Sequence, residues 1–156
     1  MVVQLSFKLE RTELSKRNHR KAMNEANRAA MTWVQRYVIP RKFTPRAPRE
    51  FPGYFRERSE RHRERKQRQF GHNLPLVYTG RMRSRVLGEH SKVSATYKHA
   101  TLTMRPGHAI REEQRRELEA ITPQHRKRMT DIILKTYLKL SQDSRFLSRK
   151  TTRGRR

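Results

Sequence analysis

Arginine is the residue type in this sequence with the clearest chemical use. Lys and Arg together number 39 against 14 Asp and Glu, which gives a formal net charge of +25 over 156 residues. The planar guanidinium group donates paired hydrogen bonds to phosphate and carboxylate groups. Because so large an excess of positive charge repels itself, an anionic partner is expected nearby. The composition therefore predicts binding to nucleic acid or to acidic protein.

One basic stretch lies near the middle of the chain, where residues 56–66 read RERSERHRERK. Such alternation is typical of an exposed charged helix with internal ion pairs, and its surplus positive charge also suits a partner. The arginines predicted to face a protein interface or nucleic acid are Arg56, Arg58, Arg61, Arg63, Arg65 and Arg68. The interleaved Glu57, Glu60 and Glu64 favour a protein neighbour, because a surface built only for phosphate would not carry acids.

A second basic stretch is the C-terminal tail, residues 142–156, in which Asp143 is the single acid. Phosphate binding needs only positive charge density near the nucleic-acid backbone, so no base-reading motif is required. The tail residues predicted to face nucleic acid are Arg145, Arg149, Lys150, Arg153, Arg155 and Arg156.

Arrangements that would support catalysis are scarce. The two aspartates, Asp131 and Asp143, stand apart, and the seven histidines match no metal-ligand spacing. Four glutamates share one predicted helix with arginines and predict surface ion pairs rather than a cation site: Glu112, Glu113, Glu117 and Glu119. Cys is absent, which excludes disulfides and thiolate metal sites. We predict a protein that is not an enzyme and that binds no cofactor or metal.

The N-terminal third has two clear hydrophobic periods. Residues 2–9 alternate apolar and polar side chains and predict a strand with one buried face. From Thr12 the apolar residues recur at three- and four-residue steps, which predicts a long amphipathic helix ending before Pro40. Trp33 and Tyr37 are interpreted as packing residues of that helix.

Four prolines and Gly53 interrupt residues 40–53, and this composition predicts an extended arm. Aromatic residues in and just after it are candidates to anchor the arm on protein or nucleic acid: Phe43, Phe51, Tyr54 and Phe55. Residues 56–68 contain no apolar side chain, so a helix there has no face to bury and is expected to project into solvent or lie against a partner.

The remaining elements lie beyond residue 76. Met82 and Val86 are spaced for one face of a short helix or an edge strand, and residues 92–104 alternate as in a β-hairpin. A helix is predicted near residues 110–121, and Thr122-Pro123 predicts the start of another that runs to about Ser141.

Together these elements predict an α+β fold: a small antiparallel sheet packed on a long N-terminal helix, two C-terminal helices, a basic extended arm and a basic tail. We expect a single domain over residues 1–141 with a Pro/Arg-rich insertion at about 40–70, followed by the tail at 142–156. Neither a membrane-spanning apolar run nor a signal-peptide pattern is evident, so we expect a soluble chain that is not exported and has no membrane partner.

Residues 76–87, LVYTGRMRSRVL, resemble the Thr-Gly-Arg signature of the tail-completion and head-to-tail joining proteins in the neck of long-tailed bacteriophages. The motif residues are Thr79, Gly80, Arg81 and Met82. Thr79 is suited to cap the segment that follows, Gly80 to a tight turn, and Met82 with Val86 to packing against the core. The order of a long helix, this turn and then an antiparallel hairpin is also similar to the family.

The resemblance implies a non-enzymatic virion protein that assembles as an oligomeric ring around the DNA passage. Its implied partners are copies of itself and neighbouring neck or tail proteins, with double-stranded DNA as a further, sequence-independent partner. Its implied location is the virion neck, after assembly in the host cytoplasm. The alternative from another class is a basic RNA-binding structural protein such as a ribosomal component. Stoichiometry separates the two, because a ring protein makes contacts with its own copies.

Overall fold

A computed structural model describes residues 2–6, 16–55, 58–76, 80–88, 91–107 and 110–143 of the chain. The strands are β1 (Val2–Ser6), β2 (Lys92–Ala95) and β3 (His99–Thr103). The helices are α1 (Lys16–Trp33), α2 (Ile39–Arg41), α3 (Ala47–Glu50), α4 (Glu60–Phe70), α5 (Arg81–Leu87), α6 (Glu112–Glu119) and α7 (Pro123–Gln142). A π-helical turn, Val34–Val38, joins α1 to α2. This arrangement confirms the predicted α+β class.

The sheet is antiparallel, with β3 in the centre between β1 and β2. Leu102 of β3 stands opposite Val3 on one side and Val93 on the other. The predicted hairpin is confirmed, and its turn closes through a hydrogen bond from the Thr96 amide to the His99 carbonyl at 2.8 Å. The predicted N-terminal strand is confirmed over Val2–Ser6, while residues 7–9 lie outside the described residues.

Helix α1 provides the largest surface of the core. Its buried side chains recur at three- and four-residue steps and are mostly small: Ala22, Met23, Ala26, Ala30 and Met31. Alanine at these positions lets α1 approach α7, whose Met129, Ile133 and Tyr137 are buried, and the sheet. Asn27 also donates its side-chain amide to the Thr96 carbonyl at 2.9 Å, which ties α1 to the hairpin.

The prediction that the long helix ends before Pro40 is wrong, because the helical path continues to Arg41. In the π-turn, the amide of Ile39 bonds to the carbonyl of Val34, five residues back. A wider turn at this point relieves the clash between a proline ring and the preceding turn of an α-helix. Pro40 then lies in the first turn of α2.

Residues 40–53 also differ from the predicted extended arm, because they fold into turns and the short helix α3. Phe43, Ala47 and Phe51 are all buried, and the Phe51 ring lies 5.2 Å from the His125 ring of α7 and 6.0 Å from that of Phe55. The rings therefore anchor this segment on the protein's own core. Burial of apolar area on this scale outweighs the extended preference of proline-rich sequence.

The two C-terminal helices are confirmed. Thr122 caps α7 by accepting a hydrogen bond from the His125 amide at 3.3 Å, and Pro123 is the first helical residue, as the Thr-Pro pair predicts. Among the described residues, no helix is long and apolar enough to span a membrane. The tail residues from 144 onward lie outside the described residues.

Candidate protein and nucleic-acid interface

Helix α4 carries most of the arginines that the sequence singles out. It begins after Ser59 and ends at Gly71, whose φ of 68° is the left-handed conformation that favours glycine. Arg61, Arg63, Arg65 and Arg68 of the predicted set are exposed here, and Arg68 lies 3.9 Å from Glu64 in an exposed ion pair. Arg56 lies outside the described residues. Arg61, Arg65 and Arg68 recur at four- and three-residue steps and share one side of α4, and Arg63 lies on another.

A buried lysine fastens α4 to the rest of the fold. Lys66 is the one buried residue of the helix, and its amine donates a hydrogen bond to the Leu74 carbonyl. Burial, with a smaller effect of nearby Arg58, lowers the pKa of Lys66 to about 8, while Glu117 opposes the shift. Helix α4, in which the last residue, Phe70, is the one apolar side chain, is thus attached by a polar contact, which hydrophobic periodicity does not reveal.

Arg58 makes the second attachment, to Glu117 of α6. Its Nη2 atom lies 3.0 Å from Oε1 and 3.1 Å from Oε2 of Glu117, whose side chain is only 1% exposed. The prediction of a surface ion pair at Glu117 is therefore wrong, because its carboxylate is buried where α6 meets the segment before α4. Of the five predicted interface arginines that the structure describes, Arg58 is the one directed into the fold.

A third cation, Lys42, reaches the same helix from the proline-rich segment. It is fully buried, its Nζ atom donates to the Leu118 carbonyl at 2.5 Å, and it lies 5.3 Å from the centre of the Phe51 ring. Burial lowers the pKa of Lys42 to about 7, and the charge of Glu119 opposes this shift. The end of α6 therefore receives cations from both halves of the insertion.

Several cations surround the side chain of His62 on α4. Burial and then the neighbouring charges of Arg58, Lys66 and Arg65 lower the pKa of His62. Protonating this imidazole is unfavourable because the added charge meets cations on several sides. The same positive charges attract an anion.

The predicted Thr-Gly-Arg turn leads into helix α5. Gly80 has a φ of 79°, the left-handed region that glycine enters without strain, and the side chains of Met82 and Val86 are buried in the core. Gly80 therefore has the conformation, and Met82 and Val86 the burial, that the sequence predicts, while Thr79 lies outside the described residues.

Helix α5 also exposes arginines that the sequence pattern did not single out. Arg83 and Arg85 are exposed together with Arg81, and α5 contains no acid. Within the described part of the chain none of these three forms an ion pair, whereas α6 pairs Arg115 with Glu119 at 3.2 Å. The signal available in the sequence is the absence of any acid between residues 81 and 87.

The chemistry of these surfaces is recognition by charge. Over the described ranges, no three His, Asp or Glu side chains lie together as a metal-binding group. The exposed arginines of α4 and α5 supply donors for phosphate or carboxylate groups. The predicted tail set, Arg145 to Arg156, falls outside the described residues and stays a prediction. Comparisons with protein-family models, with curated proteins and with solved structures each find no match to this chain.

Proposed function

We propose that this chain is a structural protein of the virion neck, one subunit of an oligomeric ring that joins the head and tail of a long-tailed bacteriophage around the DNA passage. The observation that carries the proposal is the conformation of Gly80 and the burial of Met82 in their context. The long helix α1 precedes them, Gly80 adopts a positive φ, Met82 is buried, and an antiparallel hairpin packed on α1 follows. This is the order and packing that the resemblance implies.

The distribution of charge supports the same role. A ring around DNA needs a surface that tolerates many phosphates without reading sequence, and exposed arginines supply such a surface. Arg81, Arg83 and Arg85 carry no acidic neighbour on their helix, so they are suited to the DNA side. Helix α4, in which Glu60 and Glu64 accompany the arginines, is suited to neighbouring neck or tail proteins.

The test is the native mass of the purified chain, measured together with its nucleic-acid content. A neck ring predicts a closed assembly with one defined copy number, visible as annuli by electron microscopy, and held together after nuclease treatment. Gly80→Val, which strains the turn, is expected to abolish the annuli, and the exposed Tyr54→Ala serves as the matched control that retains them.

The contrary result is a chain that remains monomeric at all concentrations and that copurifies with one equivalent of structured RNA. That outcome would replace the neck assignment with the alternative, a basic RNA-binding structural protein such as a ribosomal component. Nuclease treatment separates the two cases, because it dissolves an RNA complex and leaves a protein ring intact.

A further inference from the structure

Two aromatic rings stack at the C-terminal end of the long helix, where half-buried Trp33 packs against the core, as predicted, and Tyr37 of the π-turn faces solvent. Trp33 and Tyr37 lie with ring centres 6.4 Å apart and planes inclined by 27°. Tyr37 is 57% exposed, so its interpretation as a packing residue is wrong. Large aromatic side chains left in solvent are uncommon unless they meet a partner.

These rings form one end of a shallow groove of about 380 Å³. The groove runs along α1 from Glu25 to Tyr37, about 18 Å at the usual helical rise. Arg28 and Arg36 flank the rings and are exposed. A surface of this length matches a few turns of a helix or a short extended segment.

The backbone is irregular at the same place. The π-turn Val34–Val38 follows Trp33 directly and contains Tyr37, and it keeps Val34 and Val38 in the core while Tyr37 faces outward. Turns of this kind are rare and are found frequently at functional sites. The helix therefore departs from regular geometry where its aromatic surface is presented.

The charge of the groove selects an anionic occupant. In the described part of the chain, neither Arg28 nor Arg36 forms an ion pair. A second copy of this chain, with its net charge of +25, would be repelled from the two arginines. Contacts between copies in a ring would accordingly use other faces.

The groove also favours protein over nucleic acid. Trp, Tyr and Arg are the residues that most often dominate binding energy at protein interfaces. Glu25 at one end would repel a continuous phosphate backbone, whereas a protein segment can place a basic or neutral side chain beside Glu25 and its carboxylates beside the arginines. We infer that the groove between Glu25 and Tyr37 docks an acidic amphipathic segment of another protein, with an apolar side chain on Trp33 and Tyr37 and carboxylates on Arg28 and Arg36.

The chain carries its own reporter for this site, because Trp33 is its single tryptophan. The first probe is a fluorescein-labelled helical peptide of about fifteen residues, built from Glu, Leu and Ala with Glu and Leu on one face. The second is the same peptide with Gln in place of Glu, and the third is a labelled thymidine oligonucleotide. Anisotropy gives each Kd, and titration with the unlabelled form of each probe, followed by Trp33 emission, locates the binding.

The acidic peptide is expected to bind and to change the Trp33 emission, and the Gln peptide to bind about tenfold more weakly. Tyr37→Ala should weaken acidic-peptide binding by about tenfold or more, as truncation of a central aromatic contact does. Tyr54→Ala, a second exposed tyrosine outside the groove, should leave the Kd unchanged. Arg28→Gln with Arg36→Gln should flatten the dependence of Kd on salt.

Equal binding of the acidic peptide by Tyr37→Ala and by the wild type would overturn the inference. Binding of the oligonucleotide that changes Trp33 emission and is lost in Tyr37→Ala would also overturn it and assign the groove to single-stranded nucleic acid. Thermal unfolding of each variant confirms that the fold is intact, which is expected because Tyr37 is exposed. The outcome does not depend on the neck assignment, since a monomer presents the same groove as a ring subunit.

Discussion

Residues 39–55 and residues 58–70 belong to one basic insertion, yet they are held to the fold in different ways. The first segment contributes Phe43, Ala47 and Phe51 to the core, and its one buried cation, Lys42, accompanies them. The second segment buries no apolar residue and depends on Lys66 and Arg58 for its attachment. The first is therefore held mainly by hydrophobic burial and the second by polar contacts alone.

This difference teaches that apolar spacing outweighs proline content in deciding what packs. In the first segment the apolar side chains recur every four residues, at Phe43, Ala47, Phe51 and Phe55, in spite of the prolines between them. The second segment has strong helix-forming residues and no such recurrence, and its arginines other than Arg58 consequently stay in solvent. Five sets of substitutions, in these two segments, in α6, at Gly80 and in α5, are expected to change stability by decreasing amounts.

The largest effect is expected from Phe51→Ala. Because the ring is fully buried against Phe55 and His125, its removal should lower the free energy of unfolding by about 3 to 5 kcal/mol. Urea denaturation measures the loss. Tyr54→Ala, three residues away and exposed, is the matched control and should change stability by less than about 0.5 kcal/mol. Equal effects of the two substitutions would contradict a packed first segment.

The second effect concerns pH. The folded chain releases the Lys42 proton near pH 7, whereas the unfolded chain keeps it to about pH 10.5. Between those values unfolding takes up a proton, so stability should rise with pH by up to about 1.4 kcal/mol per pH unit. Burial and then the charges of Lys42 and Arg41 also lower the pKa of His125, which adds a rise of the same sign just below pH 6.5.

Lys42→Met tests this assignment, because methionine keeps much of the side-chain volume without the amine. The rise in stability should be lost between pH 7 and pH 8 and become shallower from pH 8 to pH 10.5, where the lowered pKa of Lys66 still contributes, as measured by urea denaturation at several pH values. Lys139→Met, on the exposed face of α7, is the control and should retain the wild-type slope. An unchanged slope in Lys42→Met would show that the amine is not the titrating group.

The third effect tests the polar attachment of the second segment. Glu117→Gln removes the charge that pairs with Arg58 inside the fold and should lower stability by about 1 to 3 kcal/mol. In a double-mutant cycle with Arg58→Gln the two losses should be strongly non-additive. Glu112→Gln breaks an exposed pair with Arg116 on the same helix and should cost only a few tenths of a kcal/mol. Additive losses at Glu117 and Arg58 would refute the attachment.

Local signals predicted those parts of the fold that local physics decides. The hairpin and the Thr122-Pro123 start of α7 each depend on neighbours within a few residues, and each is confirmed. The alternation in β1 also predicted a strand, although its partner β3 is distant in sequence. The buried cations escaped prediction because their partners are distant in sequence. Lys42 and Leu118 are separated by 76 positions, and no periodicity links them.

The outward position of Tyr37 escaped prediction for a related reason. Apolar residues from Ala30 to Val38 cover a wide band of the helix, and the sequence does not say which edge of the band faces solvent. The π-turn decides this, and it depends on how Val34, Val38 and Ile39 all enter the core. Tertiary packing therefore determines which side of the apolar band faces solvent.

The fourth effect concerns the backbone at Gly80. A β-branched residue at its φ of 79° is strained, although open space surrounds the position. Gly80→Val should lower stability by about 1 to 3 kcal/mol, measured as a fall in Tm. Gly80→Asn is the matched control, because asparagine tolerates this conformation, and it should recover most of the loss. Equal losses for Val and Asn would indicate a packing defect in place of backbone strain.

The smallest effect on stability is expected where the second segment meets solvent. Replacing Arg61, Arg63 and Arg65 of α4 by Gln removes exposed charges that form no ion pair in the described residues, so stability should change by no more than about 0.5 kcal/mol for each site. The same replacements at Arg81, Arg83 and Arg85 of α5 should be equally mild.

The two sets of replacements should differ in their effect on DNA binding, because α4 carries Glu60 and Glu64 and α5 carries no acid. Measured on a DNA duplex between roughly 50 and 200 mM salt, the α5 set should flatten the slope of log K against log salt by about 0.9 for each phosphate that is no longer neutralised, and the α4 set should flatten it less. A larger reduction from the α4 set would reverse the assignment, because α4 rather than α5 would then be the DNA-facing surface.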